Sequence, residues 1–307
     1  MAIVESCNAV DSVKNPNSEC HKAMVATKML GLLFPGTKFT LADLTDPIAF
    51  FQNLIQERKF FPLFGNKFPI NTINNNPEND IQVTLDDGTI VFLRYGVYNR
   101  TFETIKGGLC YADALQSFLN SGYSLIEIDQ QGQMLVKKLN TTEYTGLTTS
   151  FMYAPSPVMP DFTSTPYKNR FQVSYTPTEM VQSGKILSGG SALLDLVGLL
   201  DVDISSAQAA STTKLYLNVK THCAGDDLLV KFPADIIEVT NYIVKNKATG
   251  VVVTPSGGAI VSGKLELTGT YVSGQTYVVT GSAPSVWYAN DIEGYDGSVS
   301  SIEIEIP

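Results

Sequence analysis

Histidine, cysteine and tryptophan are scarce in this sequence: two, four and one in 307 residues. Charge is scarce too, at 17% Asp, Glu, Lys and Arg, against roughly 25% in an average soluble protein. No apolar run approaches the roughly 18–20 residues that a spanning helix needs, so no membrane segment is expected. Four cysteines do not make a disulfide scaffold in a chain this long, and in a reducing compartment they are expected to remain thiols. The opening residues, MAIVESCNAVDSVKNPNSEC, lack a basic n-region and an apolar h-region, so no signal peptide and synthesis in a cytoplasm are expected. With 21 basic against 30 acidic side chains the net charge is −9. Phosphate neutralisation needs clustered Lys and Arg, so sequence-specific nucleic-acid binding is excluded as an expectation.

What the chain does have is apolar and β-forming. Hydrophobic residues make up 44%, and at this length roughly 75% of the unfolded surface can be buried, enough for a core without staples. Two domains are the prior. Little charge fits a protein that hides surface against partners, and equally a β-rich surface decorated with Ser, Thr and Asn.

The clearest succession of signals lies between residues 80 and 139. Ile81, Val83 and Leu85 alternate with polar residues, as in a half-buried strand. Asp87-Gly88 can supply the positive φ angles of a two-residue hairpin turn. The chain returns through Ile90, Phe92, Tyr95, Tyr98 and Phe102 until Gly107-Gly108 breaks it. Tyr111, Leu115, Phe118 and Leu119 then share one face of a short helix that Gly122 can stop. A second strand pair, around Leu125 to Ile128 and Met134 to Leu139, turns at Gln130-Gln131-Gly132.

Around this core, residues 1–20 read as an N-terminal arm, and residues 22–39 as two short strands or a strand and a turn. Asp46 and Pro47 start a helix with Ile48, Phe51 and Ile55 on one face. Residues 60–80 read as an irregular connection, 140–167 as a long loop, 171–175 as a strand and 191–200 as a short buried helix. The small, polar run 201–213 places the domain boundary, giving an α+β assembly domain over 21–211. From residue 212 to 307 several short alternating stretches, ending in Ile302, Ile304 and Ile306, indicate an immunoglobulin-like β-sandwich in architecture only. The fold class is therefore mainly β with a few short helices: a sandwich- or barrel-like N-terminal domain, then the sandwich.

Each histidine neighbours a cysteine, in Cys20-His21 and His222-Cys223. With Cys7 these are enough ligands for a tetrahedral zinc, but neither dipeptide sits in a C-x₂₋₄-C frame, and no metal is expected. Cys110, at a helix start, has the best dipole argument for a reactive thiolate; small buried cysteines more often simply pack. Asp43 and Asp46 are explained by capping, Asp86-Asp87 by a turn, and Asp226-Asp227 precedes a strand. Gly189-Gly190 and Gly257-Gly258 lack the context of a phosphate loop. Tyr95, Tyr98, Phe102 and Tyr111 are a possible stacking set, though core packing is their commoner fate. No catalytic residue and no cofactor site emerge.

In its order of parts the chain resembles virion structural proteins of tailed bacteriophages, in the tail-tube or major-tail class. The parts are a helix, a proline-rich connection, the core IQVTLDDGTIVFLRYGVYNRTFETIKGGLCYADALQSFLNSGYSLIEIDQQGQM, and a terminal β-sandwich. The resemblance is one of layout over most of residues 20–307. It implies a non-enzymatic subunit that assembles with its own copies into rings or a tube, contacts other virion proteins and lets DNA pass without specific contacts, in a virion rather than a membrane. The other function read from the residues is a surface or fibre module that recognises glycans through residues 212–307.

Overall fold

The computed structural model describes residues 24–307 apart from 67, 76–77, 120–121, 161–165 and 224. The arm expected over residues 1–20 lies outside them, as do Cys7, Cys20 and His21. The chain is mainly β, with 42% strand in several antiparallel sheets. It divides into two compact units, the first ending at Leu196 and the second running Val197–Pro307.

The first unit is built on a curled eight-stranded sheet. In it the strand Thr27–Leu33 lies between Ser124–Asp129 and the edge strand Phe60–Phe64. TKMLGLL has few polar positions because both of its faces are covered, as its burial shows at every residue but Lys28. On one face the helix Pro47–Gln56 packs Phe51 against Phe60, their rings 4.7 Å apart. Gly31 is needed there because any Cβ would enter the Phe60 ring. Asp46 caps this helix through Ala49 N at 3.1 Å, and Phe51 and Ile55 are buried, while Ile48 is 42% exposed instead of sharing their face.

The other face carries Leu30, Leu32 and Leu125, which share a core with Phe102, Phe171, Val173 and Tyr175. Those four belong to a second sheet, ordered Phe151–Tyr153, Asn169–Tyr175, Tyr98–Thr104, Thr72–Asn75. The helix Gly108–Ser117 adds Leu115 to this core, with Tyr111, Phe118 and Leu119 at its margin, as the apolar spacing predicts. The turn at Gly132, with φ of 77°, joins Ser124–Asp129 to Gln133–Lys138.

Three expectations are corrected. The stretch 60–80 contains the edge strand Phe60–Phe64, where Pro62 is tolerated, and the strand Thr72–Asn75. The supposed loop 140–167 contains Glu143–Thr145, Leu147–Thr148 and Phe151–Tyr153, too short to show a period although Tyr144 and Leu147 are buried. Finally, DVDISS is the strand Leu200–Ser206 rather than a linker. It pairs antiparallel with Lys214–Thr221, so the second unit begins well before residue 212.

The second unit is a sandwich. Gly257–Val261, Lys264–Thr268, Lys214–Thr221, Leu200–Ser206 and Tyr295–Asp296 form one sheet; Val252–Val253, Tyr242–Asn246, Thr276–Gly281 and Ser301–Glu305 form the other. Leu215, Leu217, Val219, Leu265 and Leu267 meet Val244, Tyr277, Val279 and Ile304 across a continuous core. Trp287 is fully buried beside it and donates Nε1–H to the Asn241 carbonyl at 3.0 Å.

Candidate interaction surface

The last sheet of the first unit has only two strands, Ile81–Thr84 and Ile90–Arg94. Its root is firmly held. Asn75 and Arg100 are register partners on the strands that lead into and out of the segment, and Arg100 Nε donates to Asn75 Oδ1 at 3.0 Å. The same guanidinium pairs with Glu127, whose side chain is fully buried. Thr27 Oγ1 and Tyr175 Oη donate to that carboxylate at 3.0 and 3.1 Å. Burial first, then the neighbouring Glu127 charge, raises the Tyr175 hydroxyl well above the ordinary tyrosine range, so it stays protonated and donates. Glu127 belongs to the curled sheet, Arg100 and Tyr175 to the second, so the network fastens the two layers together. A buried pair of this kind gives little net stability beyond a hydrophobic substitute, but losing one partner is expensive.

Above this root lies a narrow base. Arg94 grips Glu78 with two hydrogen bonds, of 2.8 and 3.0 Å, and Val97 N donates to the same carboxylate at 3.3 Å. The Arg94 hydrogen bond holds the Glu78 carboxyl below its usual range. Gly96 N donates to Asp80 Oδ1 at 2.9 Å, and a Cβ on Gly96 would collide with the Glu78 carbonyl, so only glycine lets the two strands close here.

At the far end the chain reverses at Leu85-Asp86-Asp87-Gly88, where Gly88 N donates to Leu85 O at 2.9 Å. Gly88, with φ of 83°, is the only left-handed residue of this turn. The two-residue turn expected at Asp87-Gly88 is thus a wider type I turn followed by a left-handed glycine. Asp87 braces this reversal by accepting Thr89 N at 2.8 Å.

Between base and tip both faces are uncovered. Val83 pairs with Val91, and Gln82 with Phe92. The half-buried strand expected at 81–85 is in fact open: Val83, Leu85, Ile90, Val91, Phe92, Leu93 and Tyr95 are all 37–64% exposed. IVFL is a continuous apolar run, the pattern of a strand covered on both faces, yet among the described residues no third strand and no facing sheet meets it. Shared between the two faces of the hairpin, seven such side chains present on the order of 600 Å² of apolar surface. A lone two-stranded hairpin is marginal in water.

The residues considered for chemistry are scattered. His222 Nδ1 lies 2.8 Å from Asp203 Oδ2, with both side chains more than half exposed, and Cys223 is disulfide-bonded, which removes it as a thiolate ligand. Cys110 is also disulfide-bonded, so it is no nucleophile, and these two cysteines do not remain thiols as expected. Among the described residues no cluster of three or more His, Cys, Asp or Glu could hold a metal. Asp43 accepts Thr40 N at 2.7 Å and Asp227 caps Leu229 N at 2.9 Å. Gly257-Gly258 lies in a strand, where a Cβ on Gly258 would strike the Ile237 carbonyl. The aromatic set separates: Tyr95 and Tyr98 are exposed, Phe102 is in the core, and Tyr111 donates its hydroxyl to the Leu63 carbonyl. In the second unit the large exposed apolar residues are Leu200 and several valines, with Tyr288 as the exposed aromatic among the described residues.

What the geometry defines is a two-stranded, apolar, solvent-exposed hairpin on a mainly β scaffold. Beyond that, comparison with known proteins adds no name: the chain matches no family model, and no curated protein is significantly similar to it.

Proposed function

We propose that the protein is a non-enzymatic structural subunit that assembles with its own copies into rings or a tube, as a virion tail component through which DNA passes. The observation that carries this reading is the 81–94 hairpin, apolar on both faces, rooted in a buried ionic network and without a further sheet partner among the described residues. Covering apolar surface contributes about 2.5 kcal/mol per 100 Å², and a stable interface buries roughly 800 Å² per partner. One hairpin buried in a neighbour supplies most of that. The virion assignment rests on the layout resemblance together with this surface. Passage of DNA without adhesion fits a net charge of −9, since a like-charged wall repels phosphates.

Negative-stain electron microscopy of the purified chain tests the reading. Rings or tubes of uniform diameter are expected. A strictly monomeric protein at high concentration overturns it.

A further inference from the structure

The second sheet of the first unit carries a different kind of surface on its outer side. Along its strands the core takes alternate residues, Met152, Phe171 with Val173, Phe102, and Ile73, so the residues between them face outward. Those are polar, as a solvated sheet face requires, except on the edge strand Phe151–Tyr153, which turns two aromatic rings outward. Phe151 is 48% and Tyr153 43% exposed, and their ring centroids lie 5.9 Å apart with 38° between the planes. Tyr153 also opens a register row that crosses all four strands, continuing through Gln172 and Thr101 to Asn74. With strands roughly 4.8 Å apart, that row is about 14 Å long. We propose that this face binds a neutral glycan, with sugar rings stacked on Phe151 and Tyr153 and hydroxyls hydrogen-bonded along the row.

Three observations select a glycan over other occupants. First, among the described residues the side chains of Gln172, Thr101 and Asn74 make no hydrogen bond. Amides and hydroxyls both donate and accept, and so does a sugar hydroxyl, so one row of such groups serves one row of sugar hydroxyls. Second, the cations at the end of the face are already engaged. Arg170 donates to the Ser156 carbonyl at 3.1 Å, and Lys168 pairs with Glu103 at 3.1 Å. In a chain of net charge −9 that leaves no phosphate-neutralising patch here, which sets a nucleic acid aside. Third, two half-exposed rings offer about 200 Å² of apolar surface, against the roughly 800 Å² per partner of a stable protein interface. Flat aromatic faces in a lawn of neutral polar groups suit the apolar face and polar rim of a pyranose ring. The site stands whether or not the chain assembles with its own copies.

Isothermal titration calorimetry of the full chain with cellohexaose, maltohexaose and chitohexaose tests this. Saturable binding of at least one of the three is expected. Phe151→Ala/Tyr153→Ala should weaken that binding by about tenfold or more, with an unchanged thermal unfolding midpoint because both residues are exposed. Tyr153→Phe, which keeps the ring, should retain it. Gln172→Ala should weaken it by about threefold to tenfold, the effect of one lost hydrogen bond. The proposal is overturned if none of the three sugars binds, or if binding survives the double alanine variant. Tighter binding of a thymidine oligonucleotide than of any sugar, lost in the same double variant, would make this a nucleic-acid face and also overturn it.

Discussion

Two hairpins of this chain start from nearly the same local signals and end differently. Gly257–Val261 and Lys264–Thr268 turn at Ser262-Gly263, both with positive φ, and Ile81–Thr84 and Ile90–Arg94 turn at a glycine too. The later hairpin is covered: Lys264–Thr268 pairs with Lys214–Thr221 and sends Leu265 and Leu267 into the sandwich core. The earlier one has no third strand among the described residues, and its apolar side chains are exposed. Each even has a glycine facing a carbonyl that leaves no room for a Cβ, Gly258 at Ile237 and Gly96 at Glu78. The difference teaches that a strand's apolar content states a demand for cover, while whether that demand is met is set by which other elements pack against it.

The largest effect that would break this contrast is expected at the root of the open hairpin. Arg100→Leu leaves Glu127 buried and unpaired, which should destabilise the first unit by about 3–5 kcal/mol in urea unfolding. A loss under 1 kcal/mol would mean that the layers are held by apolar packing alone. Next, Leu267→Ala in the covered hairpin should cost about 2–5 kcal/mol, whereas Leu93→Ala in the open one should change stability at concentrations too low for assembly by no more than about 0.5 kcal/mol. Equal losses in thermal denaturation would show that the open hairpin is packed within its own chain.

A smaller effect is expected from the paired glycines. Gly258→Ala should destabilise the sandwich by about 1–3 kcal/mol, as overpacking does. Gly96→Ala should leave the unfolding midpoint nearly unchanged yet redirect the hairpin, so that association weakens in light scattering. The smallest concerns pH. Glu78 has a depressed folded-state value because Arg94 bonds its ionised form. Its contribution is therefore present above the usual glutamate value, about 4.3, and is lost as pH falls through the depressed one. Amide exchange at Val97, whose N–H donates to Glu78, should quicken as pH falls through that depressed value, measured relative to the intrinsic rate. No change there would remove the Arg94–Glu78 grip from the account.

Much of the scaffold was legible before the structure. The mainly β class, the capped helix at Pro47, the helix at Gly108 and the alternation of Ile302, Ile304 and Ile306 all follow from periods and caps that local chemistry enforces. Leu200–Ser206 was not legible, because DVDISS reads as a linker until Lys214–Thr221 pairs with it. Strands of two or three residues, such as Leu147–Thr148, show no period at all. The surface at 81–94 was half legible: Ile81, Val83, Leu85 and the IVFL run announce strands, and Gly88 a turn. Nothing local announces that the cover is missing, since exposure is set by which distant elements arrive. The disulfide state of Cys110 and Cys223 was illegible for the same reason.

The central claim is that the open hairpin is covered by another copy. Hydrogen–deuterium exchange on residues 81–94, compared between concentrated and diluted protein, tests it most directly. Slowing of at least tenfold in the concentrated sample, with residues 257–268 unchanged, is the result this account predicts. Equal exchange of 81–94 at both concentrations would contradict it.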